Sequence, residues 1–125
     1  MIIGVGTDIV DHDENSKLVA FDELGRFPDR ILSASELVIY QQKPSPIFIA
    51  GRFAAKEAVL KALRIGMYDG ISLKDIDIAT LDHGQPTVIL SDHIKTVADD
   101  MRVNKWHLSI SHTKTYSIAV AIAES

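Results

Sequence analysis

The chain has 125 residues, 46% of them hydrophobic, with 13 Lys+Arg against 17 Asp+Glu for a net charge of −4, and no cysteine. That length suits one domain with its own core, the composition excludes a disordered chain, and the acidity argues against a general nucleic-acid binder. Without cysteine there is no disulfide, thiolate nucleophile or Cys-ligated zinc, which fits a reducing, cytoplasmic setting. No apolar run nears the ~20 residues of a membrane span, and Met1-Ile2-Ile3-Gly4-Val5 lacks a secretory signal's basic start.

The first predicted element is a strand, because Ile3, Val5, Thr7 and Ile9 alternate with Gly4, Gly6 and Asp8. Asp8 therefore shares a face with two glycines near the strand's end, as a turn cap or as a functional carboxylate. The acidic run Asp11-His12-Asp13-Glu14 leads into an expected helix from about Glu14 to Leu24. Ser33 and Glu36 fit a capping box, which opens a short helix to about Gln42. After the break at Lys43-Pro44, Ser45 is the expected N-cap and Pro46 the first residue of a longer helix. This helix is predicted to reach about Arg64 and to stop at Gly66, and Ala50, Gly51, Ala54, Ala55 and Ala58 let other backbones approach it closely.

Ile76, Ile78 and Thr80 predict a second strand, Asp82-His83-Gly84-Gln85-Pro86 a turn, and Thr87 to Leu90 the return strand of a hairpin. Ser91 is the expected cap of a helix carrying Ile94, Val97, Ala98 and Met101. Trp106, Leu108 and Ile110 alternate with His107, Ser109 and Ser111, and Tyr116, Ile118, Val120 and Ile122 with small residues, so two strands joined through Thr113-Lys114-Thr115 close the chain. Hairpins with separate helices predict an α+β fold: one small domain over residues 1–125, its sheet largely antiparallel and packed against the long helix.

Three features carry chemistry. Asp8 is the first. The second is the long helix, where Glu57 and Lys61 share a face with Phe53 and Ala54, and Arg52 and Lys56 form a basic pair at the same spacing. Such pairs are ordinarily exposed ion-pair faces, but the alanines and Phe53 point to partial burial. The third is His107-Leu108-Ser109-Ile110-Ser111-His112-Thr113, a row of imidazoles and hydroxyls that is either a polar outer face or a set of donors for an anion. No GxGxxG, Walker A or HExxH motif is present. Two separated carboxylates are few for calcium but suit magnesium, which completes its shell with water and phosphate oxygens. The residues alone thus point to Mg²⁺-assisted phosphoryl transfer or phosphate-anhydride binding.

The ordered motifs Gly4-Val5-Gly6-Thr7-Asp8-Ile9-Val10, Arg30-Ile31-Leu32-Ser33 with Glu36, Gly51 to Lys61, Gly84-Gln85-Pro86 and Ser109-Ile110-Ser111-His112-Thr113 span nearly the whole chain. They resemble the holo-[acyl carrier protein] synthase type of 4′-phosphopantetheinyl transferase. The resemblance implies that coenzyme A donates its 4′-phosphopantetheine arm to a serine of apo-acyl carrier protein, leaving adenosine 3′,5′-bisphosphate. It implies Mg²⁺, with Mn²⁺ an alternative, on Asp8 and Glu57, and Lys61 on the reacting phosphoryl group. Glu57, directly or through a water, would take the serine proton, with Asp8 the alternative. Arg52, His107, Ser109, Ser111, His112 and Thr113 would meet the phosphates and nucleotide, and Gly84 and Pro86 would shape a turn beside the adenine. A homotrimer with active sites between protomers is also implied. A non-catalytic coenzyme A or nucleotide-binding module on the same scaffold is the alternative. One region departs from the family pattern: the segment that usually meets the acidic carrier with basic residues is acidic here, and basic residues return only at Lys17, Arg26 and Arg30.

Overall fold

The computed structural model describes residues 1–14, 26–66 and 70–125. The elements run β1 (Ile2–Asp11), α1 (Arg26–Ile31), α2 (Ala34–Gln42), α3 (Pro46–Ala62), a 3₁₀ turn (Leu73–Asp75), β2 (Ile76–Thr80), β3 (Pro86–Leu90), α4 (Asp92–Asp100), β4 (Lys105–His112) and β5 (Tyr116–Glu124). The helix expected from Glu14 to Leu24 falls largely outside the described residues. The α+β reading holds, and the strands divide between two antiparallel sheets, β1-β5-β4 and β2-β3.

Local chemistry sets most boundaries. Ser33 and Glu36 form the capping box, with Ser33 N donating to Glu36 Oε1 at 2.8 Å and Glu36 N to Ser33 Oγ at 3.3 Å. Ser45 Oγ accepts from Phe48 N at 3.4 Å, with Pro46 in the first turn. Two expectations need correction. The long helix ends at Ala62 rather than near Arg64, because Arg64 itself adopts φ 59. Its N–H then bonds Lys61 O while Ile65 N bonds Leu60 O, a Schellman pair that satisfies the last carbonyls without Gly66. Ser91 stands at the N-cap of α4 without a capping bond, and its hydroxyl donates to Asp75 O at 3.3 Å instead.

The core forms where α3 lies across β1 and β5. Ala119, Ala121 and Ala123 on β5 are fully covered, as are Ala50, Ala54, Ala55, Ala58 and Ala62 on α3. Small residues on both sides bring the backbones close, and β1 takes this to its limit. A Cβ on Gly4 would collide with the Ala62 carbonyl, and one on Gly6 with the Ala58 carbonyl, 2.7 Å from Ala62 N. These obstacles are helix backbone and cannot swing aside. Gly6→Ala is expected to lower stability by at least about 1–3 kcal/mol, seen as a lower midpoint in chemical denaturation.

The odd-numbered face of β1 has the opposite fate. Val5 and Ile9 are 56% and 62% exposed, and Tyr116 and Ile118 beside them on β5 are 45% and 44% exposed. Register places His107, Ser109 and Ser111 of β4 on this same open face, opposite Ile122, Val120 and Ile118.

Candidate functional site

Because β1 presents every second residue to α3, the face that opens with Gly4 and Gly6 continues to Asp8. Asp8 arrives beside the helix face holding Glu57 and Lys61, one turn apart. Lys61 Nζ donates to Asp8 Oδ1 at 3.1 Å and to Thr7 O at 3.0 Å. Glu57 is half-buried, and its carboxyl pKa lies above the usual range: burial raises it most, the Asp8 charge raises it further, and Lys61 opposes both. Thr7, Asp8, Ile9, Lys61 and Ile118 line a cleft of 260 Å³ here. Two carboxylates in each other's field beside an open cleft suit a divalent cation, whose charge would relieve their repulsion. Among the described residues no group of three or more His, Cys, Asp or Glu forms a cage. The donor set therefore fits Mg²⁺ or Mn²⁺, with shell positions left for water and phosphate oxygens, better than calcium.

A second group gathers where β4 ends against α3. The Arg52 guanidinium lies 4.5 Å over the Phe48 ring, and its Nε is 3.9 Å from Glu36 Oε2. This Nε is buried without a hydrogen-bond partner among the described residues. Burial draws the Arg52 pKa down, while Glu36 and Asp77 push it back up. His112 packs over Gly51, where an added Cβ would stand 2.8 Å from its Cε1. Thr113 is engaged in the turn: its Oγ1 accepts from Thr115 N at 3.2 Å and Tyr116 N at 2.9 Å.

Lys56 is not the exposed partner of Arg52 that its spacing suggested. It is completely buried, and Nζ donates to Glu36 Oε1 at 2.5 Å, Ile31 O at 2.6 Å and Leu73 O at 3.0 Å. Glu36 also accepts from Ile78 N at 2.9 Å through Oε2. Asp77 accepts from Ser33 and Ser35 at 2.5 and 2.7 Å. This network ties α1, α2, α3 and β2 together and sets the surroundings of Arg52.

The third group lines a groove of 570 Å³ between the β2-β3 hairpin and β4, where Pro86, His107 and Ser109 meet Gln85, Lys105 and Trp106. Gly84 makes the hairpin turn at φ 81, a conformation that glycine adopts without strain. His107 Nε2 is 2.8 Å from Glu124 Oε2, and this bond holds the Glu124 pKa below its ordinary value. One chain thus brings Asp8, Glu57 and Lys61 together on the α3 side of β1. His107, Ser109 and Ser111 stand on the opposite face of the same sheet.

The chain is measurably similar to known proteins. The model of the 4′-phosphopantetheinyl transferase superfamily matches residues 4–121. The holo-[acyl-carrier-protein] synthase of Hamiltonella defensa is 40% identical over 124 residues, covering 98% of each chain. That of Clostridium kluyveri is 43% identical over 125 residues, covering 99% of this chain and 91% of the relative. The structure of the Neisseria meningitidis holo-[acyl-carrier-protein] synthase superposes with a TM-score of 0.89 at 31% identity, covering 100% of both chains. The Helicobacter pylori synthase, solved in complex with coenzyme A, superposes with a TM-score of 0.81 at 35% identity, covering 96% of this chain and 99% of that one.

Proposed function

This chain belongs to the holo-[acyl-carrier-protein] synthases of the 4′-phosphopantetheinyl transferase superfamily, and on that premise we propose that Asp8, Glu57 and Lys61 are its catalytic centre. The reaction moves the 4′-phosphopantetheine group of coenzyme A to an acyl carrier protein. The supporting observation is that Asp8 and Lys61 line one cleft and pair there, with the Glu57 carboxylate in the field of both.

Asp8 and Glu57 would hold Mg²⁺, or Mn²⁺ on the same donors. The bound cation supplies Lewis-acid stabilisation of the pyrophosphate and of the leaving phosphate. Lys61, anchored by Asp8 and the Thr7 carbonyl, keeps a third N–H to point into the cleft at a reacting phosphoryl oxygen. The carrier serine Oγ forms a bond to the phosphorus bearing the pantetheine arm. The bond from that phosphorus to the bridging oxygen breaks, and adenosine 3′,5′-bisphosphate leaves. Glu57 takes the serine proton through an intervening water, with Asp8 the alternative. Arg52, His112 and the exposed hydroxyls and imidazole of Ser109, Ser111 and His107 receive the phosphates and nucleotide, with Thr113 holding the turn beside them. Gly84 and Pro86 shape the adenine end of the hairpin groove. The unit acting is residues 1–125 as a single domain, working in the cytoplasm, where fatty-acid carriers are made holo.

The test is mass spectrometry of an apo-carrier after incubation with the protein, coenzyme A and Mg²⁺. A phosphopantetheine increment on the serine is expected. Coenzyme A binding without transfer to any competent carrier would instead identify a non-catalytic nucleotide-binding module. The same assay reads the acid limb. Protons compete with the cation for Glu57, whose pKa is raised, so the rate is expected to fall as pH drops through that pKa. Raising Mg²⁺ should move the limb to lower pH, and a limb indifferent to Mg²⁺ would remove Glu57 from the cation site.

The open face of β1-β5-β4 supports a homotrimer. Ile9 and Ile118 belong both to this face and to the cleft lining, so a copy seated on the face would close over Asp8. It would also bring its own face-borne groups toward a neighbour's carboxylates. Light scattering should give three times the 13.8 kDa chain mass, and Ile9→Asp should yield monomers with little transfer activity.

A further inference from the structure

We propose that His12, acting through Ser117, is a positioning residue that fixes which ring nitrogen of His112 meets the ligand; this rests on reading His112 as a phosphate contact. His12 and Ser117 are both buried, and neither belongs to the sites described above. His12 Nδ1 lies 3.1 Å from the Lys114 carbonyl oxygen, and its Nε2 lies 2.7 Å from Ser117 Oγ. His112 Nδ1 reaches the same Oγ at 2.6 Å.

With both rings neutral, one proton assignment satisfies all three bonds. A carbonyl oxygen only accepts, so His12 Nδ1 carries its hydrogen. Neutral His12 then presents a bare Nε2, which takes the hydroxyl proton of Ser117. A hydroxyl has one proton, so the serine oxygen must accept from His112, and His112 Nδ1 is protonated. His112 Nε2 is left as a lone pair, at the ring edge that packs over Gly51 beside Arg52. Hydrogen bonding at one ring nitrogen thus dictates the state of the other, against the Nε2–H form that a free imidazole favours in water.

The groups acting on His112 are His12 at the end of β1 and Arg52 on α3, with Glu36 and Asp77 behind Arg52. Burial most of all, with the Arg52 charge and any charge His12 takes up adding to it, holds the His112 pKa below its ordinary value, which favours the lone-pair form. A phosphate oxygen cannot bond to a lone pair, and its binding draws one proton from solvent onto the pair. That proton stays on His112 Nε2, or the charge moves inward. In the second case the Nδ1 proton of His112 passes to Ser117 as the hydroxyl proton passes to His12 Nε2. Either arrangement presents Nε2–H to the anion.

The β4-β5 turn does not depend on the His12 ring, because backbone bonds from His12 N to Thr115 O and from Thr113 N to Tyr116 O, both 2.8 Å, close it. Variants at His12 can therefore be read in folded protein. Long-range ¹H–¹⁵N spectra of the ligand-free chain should show Nδ1–H tautomers for both His12 and His112. His12→Phe and Ser117→Ala should return His112 to Nε2–H, whereas His12→Gln, whose amide supplies one donor and one acceptor, should preserve the Nδ1–H form. Coenzyme A titrated by calorimetry in two buffers of different ionisation heat should take up about one proton in the wild type and in His12→Gln, and fewer in His12→Phe. His12→Phe should raise the KM for coenzyme A more than it lowers kcat. An Nε2–H tautomer of His112 in the wild type, or one unaffected by His12→Phe, would overturn the positioning role alone. Coenzyme A binding that leaves the His112 resonances unmoved would overturn His112 as a phosphate contact, and the positioning role with it.

Discussion

Glu57→Gln is expected to cut the rate of phosphopantetheine transfer by about a hundredfold or more, while the ligand-free protein melts at the wild-type temperature or above. The first half follows from losing one of two carboxylates in a cation site, because Lewis-acid stabilisation of phosphoryl transfer contributes several kcal/mol and each ~1.4 kcal/mol is a factor of ten. The second half follows from the same geometry with the opposite sign. The Glu57 carboxyl is half-buried in the field of Asp8, and its pKa is raised in the fold. A raised carboxyl pKa means that the fold is stabilised below the unfolded-state pKa and loses that contribution as pH climbs through the folded value. At neutral pH the ionised carboxylate is therefore a liability to the empty fold, and a neutral amide removes it. Quench-flow or mass-spectrometric rates with parallel melting curves decide the matter. Wild-type turnover in the variant would end the assignment of Glu57 to the cation.

The second large effect is on stability. Lys56→Met is expected to cost about 3–5 kcal/mol, because removing one partner strands a buried charge. That is a large share of the ~5–15 kcal/mol that holds a domain together. All three ammonium protons of Lys56 are engaged, so the variant also leaves the Ile31 and Leu73 carbonyls without their donor. Urea denaturation should show the fall, and pairing Lys56→Met with Glu36→Gln should recover part of it, since the stranded carboxylate is then gone. A Lys56→Met midpoint within experimental scatter of wild type would show that the buried pair does not hold the helices together.

These two effects differ in how far the sequence announced them. Asp8, Glu57 and Lys61 were legible because their signals are local: a strand with period two, and a helix with acid and base one turn apart. Ser33-Glu36 and Ser45-Pro46 were legible for the same reason, each cap being a contact over three residues. The burial of Lys56 was not, because its oxygens come from positions 31, 36 and 73, and spacing along α3 alone suggested a surface pair. The chain from His12 to His112 was equally hidden, since it depends on the β1–β5 register, which sets Val10 opposite Ser117 and leaves His12 beyond the strand's end to reach that serine with its ring. The helix end at Arg64 escaped because a left-handed arginine has no composition signal, whereas Gly66 nearby has a strong one.

Lys56 and Glu57 are neighbours on α3, about 100° apart around its axis, and they meet different surroundings. One is bolted into the interior by three oxygens, and the other lies half-buried in the field of Asp8. With the glycines of β1 seated against its backbone on another side, rotation or sliding of the helix would break these bonds or press backbone against backbone. Selection for a well-aimed carboxylate and selection for a durable scaffold thus act on the same cylinder, so mutational drift at the interior bolt would be felt in aim as well as in durability.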